Sequence, residues 1–211
     1  MQLEHYLNSS FPNLKLRPPL FYNWELGIRF ELGDPNEEDI KNYMERVYSR
    51  ATTLFKALHS AKDEIIIVAN IHHDGEENLF RRRKIKTFQH YIKSKKVLYR
   101  LQHNVIPYVF EDVYDIYDFE THRFALNCQV ADVKYANLIK AICNQDMGIK
   151  PKISHDVFFV NLSKNSIFHI YDDRGCDVIA SSKESIRFLY EQYNNWILKY
   201  DEEAIDRLFL N

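Results

Sequence analysis

The sequence predicts an α+β fold: a mainly antiparallel sheet that includes a C-terminal three-stranded meander, packed by two long amphipathic helices and shorter ones. Three observations carry this. Apolar residues recur at steps of three and four from Ile40 to Leu58 and again from Ile186 to Tyr200, a spacing that gathers them on one helical face. Between 157 and 180, three short apolar runs are separated by the turn-forming segments Ser163-Lys164-Asn165-Ser166 and Asp172-Asp173-Arg174-Gly175, as in strands joined by tight hairpins. His122, Phe124, Leu126, Cys128 and Val130 alternate with Arg123, Ala125, Asn127 and Gln129, which is the period of a strand with one wet face.

Taken along the chain, the first ten residues suit a small helix and Glu25 to Leu32 a strand. Asp34, Pro35 and Glu37 supply an N-cap, a first-turn proline and the acidic half of a capping box. The helix that follows should run about six or seven turns. Glu64 to Ile71 carries the run Ile-Ile-Ile-Val and reads as a strand buried on both faces. Val133, Tyr135, Leu138, Ile139 and Ile142 form a shorter helix ending near Gly148 and Pro151. After the meander, Ser181 and Glu184 pair as a second capping box for the helix bearing Ile186, Leu189, Tyr190, Tyr193, Ile197 and Tyr200. A last short helix from Glu202 to Leu210 packs the C-terminus down. No repeat and no Gly/Ser- or Pro-rich linker interrupts the chain, so residues 1–211 are expected to form a single α+β domain.

Composition sets further bounds. Apolar residues make up 45% and charged residues 27% of the 211 positions, ordinary globular values that argue against long disorder. No run of eighteen apolar residues occurs, and Met1-Gln2-Leu3-Glu4-His5 lacks the basic and apolar regions of a signal peptide, so a cytoplasmic protein is expected. The three cysteines, Cys128, Cys143 and Cys176, match no disulfide framework or CxxC pair and read as small buried hydrophobes. With five dispersed glycines there is neither a P-loop nor a GxGxxG turn, each of which needs clustered glycines for close approach to phosphate. GxSxG and HExxH are absent too. No cofactor and no metal is expected.

Several constellations contain residue types that can carry chemistry. His72, His73 and Asp74 cluster, but adjacent side chains on an extended backbone point to opposite sides, which argues against joint chelation. Asp132-Val133-Lys134 matches the acid-x-Lys half of a nuclease signature, with Asp112, Asp115 or Asp118 upstream; such triplets arise often by chance, and a helix N-terminal acid explains Asp132. His169 and Cys176 lie on neighbouring strands without any requirement that they face each other. The group singled out is Tyr171, Asp172, Asp173 and Arg174. An aspartate-capped turn closed by Gly175 at positive φ accounts for it structurally, while Arg and Tyr are favoured interface anchors. Trp24 is the candidate for an aromatic pocket.

Charge is segregated along the chain. From Asn78 to Phe110 no acidic residue occurs among the basic Arg81, Arg82, Arg83, Lys84, Lys86, Lys93, Lys95, Lys96 and Arg100, whereas Glu111, Asp112, Asp115, Asp118 and Glu120 follow at once. The two stretches are expected to be a solvated basic face and its acidic neighbour. The functional alternative is a phosphate-backbone contact, with Phe80, Phe88, Tyr91 and Tyr99 as stacking platforms.

Two parts of the chain carry a family resemblance. Ile167-Phe168-His169-Ile170-Tyr171-Asp172-Asp173-Arg174-Gly175-Cys176-Asp177-Val178-Ile179-Ala180, with Tyr193-Asn194-Asn195-Trp196-Ile197-Leu198, resembles the bacterial family called domain of unknown function 3885. Leu20-Phe21-Tyr22-Asn23-Trp24 and Gly27-Ile28-Arg29-Phe30-Glu31-Leu32-Gly33 are similar to that family's opening. The resemblance covers nearly the whole chain, least clearly about residues 74–120. It implies a small cytosolic protein of spore-forming Gram-positive bacteria and brings no catalytic residue with it.

Together these readings point to a non-enzymatic protein-binding module of immunity or antitoxin type, with a protein partner and no membrane. The rival is a nucleic-acid-binding or metal-dependent nuclease-like enzyme using the basic segment 81–100.

Overall fold

The computed structural model describes residues 2–73, 88–110 and 119–210. Its centre is one seven-stranded sheet, antiparallel throughout, formed by β1 (Gly27–Glu31), β2 (Glu64–His73), β3 (Gln102–Pro107), β4 (Glu120–Gln129), β5 (Asp156–Asn161), β6 (Ser166–Ile170) and β7 (Gly175–Ala180). The order across the sheet is β1-β7-β6-β5-β2-β4-β3. The expected meander β5-β6-β7 is thus internal to it, extended by β1 on one side and by β2, β4 and β3 on the other.

Each face of the sheet carries its own core. On one face lie α2 (Ile40–Leu58), α4 (Tyr135–Cys143), α5 (Glu184–Gln192) and α6 (Glu202–Leu210), packed on Ile28, Phe30, Ile65, Ile67, Phe159, Phe168 and Val178. On the other, α1 (Gln2–Ser10) and the segment that follows it lay Leu3, Leu7, Phe11, Leu16 and Leu20 over Ile66, Val68, Phe158, Val160, Ile167 and Ile179. β2 is buried on both faces as its apolar run required.

Four expectations need correction. α2 begins five residues later than its capping signal suggested, because Asp39 is the cap: its side chain accepts the Asn42 N–H at 2.9 Å. Asp34 instead closes a turn onto Asn36 and pairs with Arg46. The helix has 19 residues, about 28 Å of rise. The second long helix stops at Gln192, and Ser181 does not cap it. Its expected continuation turns away so that Ile197 bridges Phe30 and Leu198 N–H bonds the Arg29 carbonyl at 2.9 Å, satisfying the free edge of β1 that a continued helix would leave unpaired. The face of β4 expected to be wet is covered by α1: Ala125 is buried, and Arg123 reaches Asn70 at 3.0 Å and Glu4 at 3.2 Å. Gly175 is extended strand without a positive φ; a short helix α3 (Lys95–Leu98) and β3 were not anticipated. Among the described residues no helix is long and apolar enough to cross a membrane.

Candidate binding cleft

The β6–β7 turn is built around Asp172. One oxygen of this buried carboxylate accepts the Arg174 N–H at 2.7 Å, and the other accepts Nε of the same arginine at 2.9 Å and also its Nη2. The Arg174 side chain is 76% exposed, yet it is tied to a buried aspartate. Its pKa is raised, first by the hydrogen bond to Asp172 and then by that carboxylate's charge. Asp173 turns the other way and accepts the Tyr43 hydroxyl of α2 at 2.7 Å. Burial, and next that bond, hold the Tyr43 hydroxyl above its ordinary range.

Two glycines seat two tyrosine rings. A Cβ on Gly33 would lie 2.2 Å from the Tyr43 hydroxyl, and one on Gly175 would lie 2.0 Å from the Tyr171 hydroxyl and 2.5 Å from the Phe30 carbonyl. Glycine is required at 175 for close approach of a ring, and the left-handed conformation expected there plays no part. Tyr171 in turn packs on Arg29 of β1, whose guanidinium lies 5.0 Å from its ring centre and 4.8 Å from that of Tyr22, within cation–π range. Arg29 forks onto the fully buried Asp177 at 2.8 and 3.3 Å, and Asp177 also accepts the Phe21 N–H at 3.0 Å. Burial alone would lower the Arg29 pKa, but the Asp177 hydrogen bond and charge outweigh it and the net shift is upward.

These groups surround a cleft of about 580 Å³, a size typical of ligand sites. Arg29, Glu31, Asp172 and Arg174 supply its charge, Tyr43 and Tyr171 its aromatic walls, and Pro18, Pro19, Pro35 and Leu198 its apolar rim. Of the residues singled out from sequence, Tyr171, Asp172 and Arg174 line the cleft, and Asp173 braces α2 behind it. Trp24 does not: its indole donates to the Ala180 carbonyl at 2.8 Å and packs on Phe11 in the second core. Arg81, Arg82, Arg83 and Lys84 lie outside the described residues, as do Asp74 and the acidic stretch 111–118. Arg29, Glu31 and Tyr43 escaped sequence reasoning. The available signal was an arginine flanked by Ile28 and Phe30 in a strand, since a charge on a buried strand demands a partner.

The remaining constellations are structural. His72 bridges Thr121 Oγ1 and Asp156 Oδ2 at 3.1 Å each, but Thr121 is fully buried and also accepts the Val109 N–H. Asp132 and Gln129 form a reciprocal capping box on a 3₁₀ turn, so the acid of the acid-x-Lys triplet is a cap. In the β6–β7 register Cys176 lies opposite Ile170; His169, one position away, faces the other side and stacks on Phe158 at 4.3 Å. All three cysteines are free and buried. Among the described residues no three His, Cys, Asp or Glu side chains converge as metal ligands.

Comparison with known proteins supplies a family without a mechanism. The chain is 37% identical to the "Uncharacterized protein YnaE" of Bacillus subtilis (strain 168) over 213 residues, 95% of this chain and 99% of that protein. No solved structure matches. The family model described as "Domain of unknown function (DUF3885)" matches residues 3–201, so β1, the meander and the whole cleft fall within it, and the chain belongs to the DUF3885 family.

Proposed function

We propose that the chain is a non-enzymatic binding module that recognises a protein partner through the Tyr171–Arg174 cleft, with an immunity- or antitoxin-type inhibitor as its narrower form. The observation that carries this is the pre-set anchor at the rim. The Arg174 guanidinium is mostly exposed yet fixed by buried Asp172, and the two tyrosine walls are each seated on a glycine. Groups already held in one rotamer lose little entropy on binding, and Arg and Tyr are the side chains that most often dominate interface energies.

The test is affinity capture of the tagged full chain from cell lysate, followed by calorimetry of the purified partner. A one-to-one complex weakened about tenfold or more by Arg174→Glu, and unchanged by Arg207→Glu on α6, is the expected outcome. A chain that captures no protein, or a complex indifferent to Arg174→Glu, refutes the reading. Nucleic acid released by high salt would move the weight to the basic segment 81–100.

A further inference from the structure

The charged groups of the cleft are not equally satisfied. Arg29 is forked onto Asp177, and Asp172 onto Arg174. Glu31, two residues beyond Arg29 on the same face of β1 and opposite Gly175 in register, has no ion-pair or hydrogen-bond partner for its carboxylate among the described residues. Arg50 is near enough to feel its charge. That guanidinium, however, is engaged with the Glu31 carbonyl at 3.0 Å and lies 5.2 Å over the Trp196 ring.

The wider field has the same sign. Behind the cleft, Asp201 has one carboxylate oxygen bonded to the Tyr22 hydroxyl at 2.8 Å, while the other is buried without a hydrogen bond, 3.8 Å from Arg29. Two guanidinium groups, Arg29 and Arg174, thus face five carboxylates, Glu31, Asp172, Asp173, Asp177 and Asp201. Adding Arg46, Arg50 and Asp34 makes it four against six, still negative. Tyrosine faces add their own negative quadrupole, and a cation within about 6 Å of such a ring is attracted to it. An anion would meet the free carboxylate directly. A neutral apolar group would strip water from Glu31 and return no hydrogen bond.

We propose that the cleft takes a cationic side chain, a lysine or arginine of the bound protein, with Glu31 as its counter-ion and Tyr43 and Tyr171 as its walls. This rests on the cleft being the contact surface proposed above, and it names the chemistry of what enters. Arg174 at the rim then meets acceptors around the inserted side chain, so the partner must present a basic group inside a polar or acidic surround, which narrows the choice of partner.

The experiment is amide NMR of the isotope-labelled full chain titrated with Nα-acetyl-lysine amide, Nα-acetyl-arginine amide and, as the anionic counterpart, Nα-acetyl-glutamate amide. Saturable shifts at Glu31, Tyr43, Tyr171 and Gly175 with the two cations are expected. Glu31→Gln, checked for an otherwise unchanged spectrum, should weaken them about threefold or more, whereas Glu203→Gln on α6 should not. Equal shifts with the anionic probe, cation binding indifferent to Glu31→Gln, or no saturable shift with any probe would overturn the proposal. A captured complex that survives Glu31→Gln but not Arg174→Glu would leave the binding module standing and remove the cation site. One that survives both would remove the module, and the cation titration would still decide the site by itself.

Discussion

His59, directly after α2, carries a titratable group into the core. Its ring stacks on Phe55 at 4.1 Å, Nδ1 lies 2.9 Å from the Phe55 carbonyl, and Nε2 is buried without a hydrogen-bond partner. Burial pushes its pKa down from 6.5 to about 4. Because the folded value lies below the unfolded one, the unfolded chain binds more protons between those limits. The stabilising effect of neutral His59 is therefore complete above about pH 6.5 and is lost as pH falls toward 4, on the order of 3 kcal/mol in all. Urea unfolding of wild type and His59→Phe at neutral pH and near pH 4.5 checks this: the acid-induced drop should be clearly smaller in the variant. Equal drops would show that other groups set the acid limb. Nothing near His59 in sequence marks it as buried. By contrast, the Asp172–Arg174 contact was legible, since an aspartate at a turn meets the backbone two residues on.

Among the elements, α1 decides how one face of the sheet is covered. With the segment that follows it, this nine-residue helix buries one face of β2, β4 and β5, and the alternation in β4 could not show this: period two identifies a strand and its two faces but not what covers the second. Leu7→Ala should lower stability by about 2 to 5 kcal/mol, the range for truncating a buried leucine. Ser9→Ala, on the exposed side, should change little. Denaturant midpoints of both variants measure the difference, and equal midpoints would mean that α1 is not held by this core. The early end of α5 has a similar cause. Its apolar stripe continues in sequence past Gln192, but the open edge of β1 takes residues 197 and 198 into extended pairing, and tertiary hydrogen bonding overrides periodicity.

At the scale of the whole molecule, the three thiols report on the integrity of the larger core, the one beneath α2, α4, α5 and α6. Cys128, Cys143 and Cys176 all lie in the helical-face core. Burial raises the Cys128 and Cys143 pKa values to about 12, and that of Cys176 well above the usual thiol range, so the nucleophilic thiolate is both scarce and inaccessible. A colorimetric thiol reagent should label none of the three in the native protein and all three in denaturant, with the native rate following unfolding; prompt labelling of any one would contradict its placement. Helix and strand periods and the meander with its turn were set by residues close in sequence, where spacing and turn chemistry suffice to specify them. Strand order, the covering of the second sheet face and the cleft were decided only by folding. Arg29 and its counter-ion Asp177 are 148 positions apart, and Tyr43 and Asp173 are 130. No local pattern encodes such a pairing, because its physical cause, an ion pair or a hydroxyl–carboxylate hydrogen bond between remote segments, exists only once those segments lie side by side.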